Sequence, residues 1–79
     1  MQIQIIGVGC SRCQQMKSDV AELVNQLHLD AQVEYVDDPM QIVAMGILSV
    51  PQLKLNGKTV MVGYRGRNAI ERALGEART

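Results

Sequence analysis

Gly9-Cys10-Ser11-Arg12-Cys13 holds both cysteines of the chain. It follows a short apolar run, Ile3-Gln4-Ile5-Ile6, and precedes a helix-patterned segment, Met16 to Leu27. Two thiols two residues apart, where a strand passes into a helix, are placed for one of two jobs. They exchange electrons as a dithiol/disulfide pair, or they hold a metal ion. The opening turn of a helix leaves several backbone N–H groups unpaired, and the helix dipole puts partial positive charge there. A thiolate at that place is stabilised, so its pKa falls. Cys10, at or just before the first helical residue, is then the exposed, anionic sulfur. Cys13 lies further in and is less exposed. This asymmetry suits a two-step exchange in which Cys10 attacks a substrate disulfide and Cys13 resolves the mixed disulfide. Arg12 and Lys17 add positive charge nearby. Arg12 reads either as a group that lowers the Cys10 pKa or as a solvated surface residue.

Seventy-nine residues allow one small domain, residues 1–79. A chain of this size buries a modest core. Acidic and basic residues balance at eight each, which argues against nucleic acid or an anionic membrane surface as main partner. There is no Phe or Trp, so the core is aliphatic, and the five Met are expected to fill gaps in it. Met1-Gln2-Ile3-Gln4 carries no basic leader, and no apolar stretch approaches a membrane span. The expectation is a cytoplasmic monomer. Structural disulfides are rare in that compartment, and a CxxC pair there is catalytic or metal-binding.

Working outward, Met1 to Gly7 reads as a buried strand. Gly7 and Gly9 loosen the backbone before the cysteines, and Gly9 also removes side-chain bulk where a partner approaches Cys10. From Ser11 to His28, Met16, Val20, Leu23, Val24 and Leu27 recur at helical spacing. Lys17, Asp19, Glu22 and Asn25 fall on the wet side. His28 reads as a favourable charge or hydrogen bond at the helix C-terminus. Ala31 to Val36 alternates as a second strand, so the first three elements form a parallel βαβ unit. Asp37-Asp38-Pro39 starts a short helix that ends near Gly46. Gln52 to Leu55, then Asn56-Gly57, then Lys58 to Val62 is a hairpin signature. Arg67 to Arg78 is a last helix, weakened by Gly75. The order is β-α-β-α-β-β-α.

Val50-Pro51 opens the third strand, where a missing donor falls at the end of the ladder. The loop before that strand lies beside the thiol-bearing helix. A cis bond there would turn the backbone toward Cys10 and Cys13, and offer the Val50 main chain to an extended substrate segment.

Ile5-Ile6-Gly7-Val8-Gly9-Cys10-Ser11-Arg12-Cys13, with Ser49-Val50-Pro51-Gln52-Leu53-Lys54-Leu55-Asn56-Gly57-Lys58, resembles the small thioredoxin-like and glutaredoxin-like redox-active disulfide proteins of bacteria and archaea. The resemblance runs from Met1 to about Ala77. It implies an α/β thioredoxin-like fold, a four-stranded mixed sheet flanked by three helices. It implies a catalytic Cys10, a resolving Cys13 and a cis-proline at Pro51. Gly9, Val50, Pro51 and Gly63 are the expected client-binding positions. The implied activity is protein-disulfide reduction, in electron transport and cell redox homeostasis. The partners are client protein disulfides and a thioredoxin reductase-type flavoprotein as electron donor. No cofactor is expected beyond the Cys10–Cys13 pair.

The departures from better-known relatives carry information. Thioredoxins proper have an aromatic residue before the first cysteine and Gly-Pro between the two; here stand Gly9 and Ser11-Arg12. They also keep a buried carboxylate in the strand before the motif, and Met1 to Val8 has none. Proton transfer to Cys13 then relies on water or another group. Glutaredoxins carry a basic residue shortly before the first cysteine and a Gly-Gly-x-Asp-like grip on glutathione. This chain has Val8-Gly9 and Gly63-Tyr64-Arg65-Gly66, which favours a protein reductase over glutathione as electron source. Arg65 and Arg67 read either as partners for a carboxylate or, preferred, as the solvated start of the last helix.

The alternative is a soft-metal carrier. Heavy-metal-associated domains also place CxxC after a first strand, and two thiolates suit Cu(I), whereas zinc needs further ligands. Here His28 is a helix away, and Met40, Met45 and Met61 read as core. The metal-carrier order, β-α-β-β-α-β, ends in a strand, and this chain is expected to end in a helix. The redox reading is therefore preferred, with no metal site assigned.

Overall fold

The computed structural model describes residues 1–9 and 11–78, the side chain of residue 78 excepted. Its elements are β1 (Gln2–Ile6), α1 (Ser11–Gln26), β2 (Gln32–Val36), α2 (Pro39–Ala44), β3 (Gln52–Leu55), β4 (Lys58–Val62) and α3 (Arg67–Arg78). The order is the one the patterning predicts. The strands form one mixed sheet, β2-β1-β3-β4. β1 and β2 run parallel, and β1–β3 and β3–β4 are antiparallel.

Strand alternation sends neighbouring side chains to opposite faces. Ile3 and Ile5 of β1 join Leu53, Leu55 and Met61 under α1 (Met16, Val20, Leu23) and α3 (Ile70, Leu74). Ile6, next in the chain to Ile5, points the other way. There it meets Val36 and Ile42 of α2, with Ile47 and Val50 packed alongside. The larger core thus lies beneath two helices, and the smaller one gathers at the C-terminal ends of β1 and β2. Gly75 does not interrupt α3, which continues to Arg78.

The turns are built as their residues require. Asn56 and Gly57 both have positive φ, 53° and 83°, the signature of a type I′ turn. Asn56 also clamps the start of β1: its Oδ1 accepts from the Gln2 N–H at 2.9 Å, and its own N–H donates to the Gln2 carbonyl at 2.7 Å. α2 starts as read, with the Asp38 carboxylate accepting from the Met40 N–H at 3.0 Å and Pro39 in the first turn.

Several expectations are corrected. The first helix stops at Gln26, so His28 lies just past its last turn rather than in it. It takes φ 52°, while His28 N–H bonds the Asn25 carbonyl and Leu29 N–H bonds the Val24 carbonyl. That pair of bonds closes a Schellman motif with His28 in the position glycine usually fills. The methionines divide. Met16 and Met61 are core, and Met1 packs against it. Met40 is 78% exposed, and Met45 is also at the surface. A six-residue helix needs only one inward side chain to hold its place, and Ile42 supplies it.

Candidate functional site

Cys13 lies in the first turn of α1 and is fully buried. It is disulfide-bonded. Gly7 makes room for it. A Cβ on Gly7 would sit 2.6 Å from the Cys13 Sγ and 2.8 Å from its Cβ, far inside van der Waals contact. Gly7 is therefore not a loosening residue, as the sequence reading had it. It is buried, its N–H bonds the Val36 carbonyl at 2.9 Å, and it lets the Cys13 sulfur seat on the end of β1. Cys10, the expected nucleophile, lies outside the described residues. Gly9 is exposed just before α1, and its carbonyl accepts from the Gln14 amide at 3.3 Å. Arg12 is exposed on the first turn of α1. The Lys17 ammonium stands over the Tyr35 ring, 4.6 Å from its centroid.

The β1–β3 register pairs Ile6 with Gln52, so Gly7 and Pro51 come to the same end of the sheet. The Val50–Pro51 peptide is cis, as the resemblance implies. Pro51 is buried, and Val50 is half-buried against the smaller core. The Pro51 carbonyl accepts from the Gly63 N–H at 2.7 Å, which joins two of the expected client-binding positions directly. Two exposed apolar side chains lie near this end of the sheet. Val8 is exposed beside the motif, and Leu48, two residues before Val50, is 99% exposed.

The sequence reading missed Asp19 and Tyr64. Asp19 is not on the wet side of α1; it is only 4% exposed. Its Oδ2 accepts from the Tyr64 hydroxyl at 2.5 Å and its Oδ1 from the Gln15 amide at 2.9 Å. The spacing held a clue. Asp19 falls three residues after Met16 and four before Leu23, on the flank of the buried stripe. Arg67, half-exposed at the start of α3, meets a carboxylate: it pairs with Glu22 and donates to the Gln26 side chain at 3.0 Å.

The hydrogen bond to Asp19, then burial, then the Asp19 charge raise the Tyr64 phenol above its ordinary 10.0, and Arg67 opposes them. A group whose pKa is raised on folding contributes stability that is complete below its unfolded value and lost as pH climbs toward the folded one. Unfolding free energy should therefore decline above pH ~10 more steeply in the native protein than in Tyr64→Phe. Denaturant titrations between pH 8 and 11, with tyrosinate absorbance followed in parallel, check this.

The thioredoxin domain profile matches residues 1–74. The chain belongs to the thioredoxin family. It is 35% identical over 63 residues to a thioredoxin of Methanothermobacter thermautotrophicus, an alignment covering 80% of this chain and 82% of the relative. A thioredoxin of Methanocaldococcus jannaschii is 28% identical over 68 residues, 82% of this chain and 80% of its own. The crystal structure of chloroplastic thioredoxin z superposes with a TM-score of 0.75 at 13% identity, over 98% of this chain and 77% of the other. This thioredoxin-family chain is thus a thiol-disulfide oxidoreductase by class. Its chain order, ending in α3, also departs from the soft-metal carrier pattern.

Proposed function

We propose that the chain is a small protein-disulfide reductase of the thioredoxin type, working through Cys10 and Cys13 within one domain, residues 1–79. The Cys10 thiolate attacks one sulfur of a client disulfide, and the client's other sulfur leaves as thiolate. Cys13 then attacks the Cys10 sulfur, the client departs as a dithiol, and the pair is left as a disulfide. Two electrons pass to the client. A thioredoxin reductase-type flavoprotein returns two electrons and two protons to the pair, so no bound cofactor is called for. Arg12 and the N-terminus of α1 favour the Cys10 thiolate. Gly9, Val50, Pro51 and Gly63 form the ledge on which an extended client segment lies, with Val8 and Leu48 as its apolar margin.

The observation that carries this reading is the seat of Cys13. It is buried against Gly7, at the end of the sheet where the Pro51 carbonyl is held by Gly63, in a chain of an oxidoreductase family. A monomer working in the cytoplasm, serving electron transport and redox homeostasis, fits the balanced charge and cysteine usage. No helix among the described residues is long and apolar enough to cross a membrane.

A redox titration tests it. Purified protein is equilibrated in dithiothreitol or glutathione buffers, and free thiols are counted by alkylation and mass spectrometry, with and without Cu(I) or Zn²⁺. One reversible two-electron transition between roughly −300 and −180 mV is expected. One-to-one protection of the thiols by metal, without an intramolecular disulfide, would reverse the reading.

A further inference from the structure

The buried carboxylate of Asp19 has no part in the exchange steps above, and burying it is costly. The carboxylate, withdrawn from water, and the half-buried Tyr64 hydroxyl beside it give up hydration that an apolar pair of similar shape would never have needed. In exchange they form a directional bond of short length. That bond joins elements 45 residues apart in the chain.

What it joins is specific. α1 carries Cys13 in its first turn and Asp19 six residues, about 9 Å of rise, further on. Tyr64 stands in the segment Gly63-Tyr64-Arg65-Gly66, which links β4 to α3. The residue before Tyr64 is Gly63, whose N–H holds the Pro51 carbonyl at 2.7 Å. The far end of the segment is fastened to the same helix, through Arg67 to Glu22 and Gln26. A glycine-flanked linker is thereby strapped to the thiol-bearing helix at both ends, and its first residue grips the proline ledge.

We propose that Asp19 and Tyr64 are positioning residues for exchange with polypeptide disulfides. Their bond holds the Gly63–Pro51 ledge in register with the helix that carries Cys13, so that a client chain lying on the ledge presents its disulfide to the cysteine pair. The inference rests on the reductase reading above. Small disulfides, which do not use the ledge, are indifferent to it.

The test compares insulin with hydroxyethyl disulfide as oxidants of the dithiol, in the native protein, Tyr64→Phe, Asp19→Asn and Asp19→Leu, with dithiothreitol as reductant. Thermal unfolding is recorded for each variant. Loss of one hydrogen bond to a charged acceptor should raise KM for insulin about tenfold in Tyr64→Phe and Asp19→Leu. The insulin kcat, the hydroxyethyl disulfide rate and the redox midpoint should stay within about twofold of the native values. Asp19→Asn still accepts from the Tyr64 hydroxyl and should restore most of the insulin KM. Equal losses toward both disulfides, a shifted midpoint, or an unchanged insulin KM in Tyr64→Phe would each overturn the inference. Native protein inactive toward both disulfides would overturn the reductase reading itself, and the inference with it.

Discussion

Cys10→Ser is expected to reduce no disulfide above the uncatalysed background, whereas Cys13→Ser is expected to keep attacking clients and to become trapped on them. The difference follows from the proposed order of steps. A serine at position 10 offers no thiolate at neutral pH, so the first S–S bond is never broken. A serine at position 13 leaves that attack intact but removes the second, so the mixed disulfide has no internal route to release. Incubating each reduced variant with a protein disulfide and separating the products by non-reducing electrophoresis reads both outcomes. Cys10→Ser should give no adduct, and Cys13→Ser should give an adduct approaching one client per chain, released by dithiothreitol. Burial of Cys13 supports the order, since a sulfur fully shielded from solvent is poorly placed to meet a client first. An adduct formed by Cys10→Ser and not by Cys13→Ser would exchange the two roles. Activity retained in both would remove the pair from the mechanism. Circular dichroism of Cys13→Ser guards against misreading a folding defect, because that hydroxyl enters a site shaped for sulfur.

What could be read in advance was what local rules determine. The hairpin was legible because Asn-Gly adopts the two positive φ angles of a type I′ turn without help from the rest of the chain. α1 and its stripe were legible because Met16, Val20 and Leu23 recur at helical spacing and are buried for that reason. Much of the candidate site was legible too, since Cys13, Pro51 and Gly63 lie at ends of elements that the pattern places. The errors fall where contacts beyond the local pattern decide burial. Asp19 was read as wet because a lone carboxylate belongs in water, and one of the two donors that satisfy it when buried comes from a residue 45 positions away. Arg67 was read as solvated or as meeting a carboxylate, and which carboxylate it meets depends on α1, equally remote in the chain. Met40 was read as core, but α2 is too short and too lightly anchored to bury more than Ile42. Gly7 was read as a source of freedom when its role is the absence of an atom, which only the approach of Cys13 reveals.

Gly7→Ala should therefore be the most damaging single-methyl addition near the site. The added carbon meets two atoms at once, the Cys13 Sγ at 2.6 Å and its Cβ at 2.8 Å. Neither is the far end of a flexible chain, because a cysteine Cβ is fixed by the backbone of α1. Relief requires the first turn of α1 to lift from the end of β1, where the Gly7 N–H is itself held by the Val36 carbonyl. Overpacking of this kind costs about 2–3 kcal/mol. In a domain of this size each kcal/mol lowers Tm by roughly 4–8 °C. Thermal unfolding of Gly7→Ala checks the figure, with Gly9→Ala as the comparison. Among the described residues, its chain neighbours aside, no atom lies within 4 Å of a Cβ on Gly9, and its φ of 77° is the obstacle, so that variant should lose about 1–2 kcal/mol through backbone strain. The two glycines are separated by a double substitution. Gly7→Ala combined with Cys13→Ser removes the larger sulfur but keeps the Cβ contact, so part of the clash remains. The pair should couple, with a combined loss smaller than the sum of the two and still larger than that of Cys13→Ser alone. Gly9→Ala combined with Cys13→Ser should simply add. An additive result for Gly7 would mean that the methyl is accommodated without touching Cys13, and that Cys13 owes its seat to something other than the missing side chain beside it.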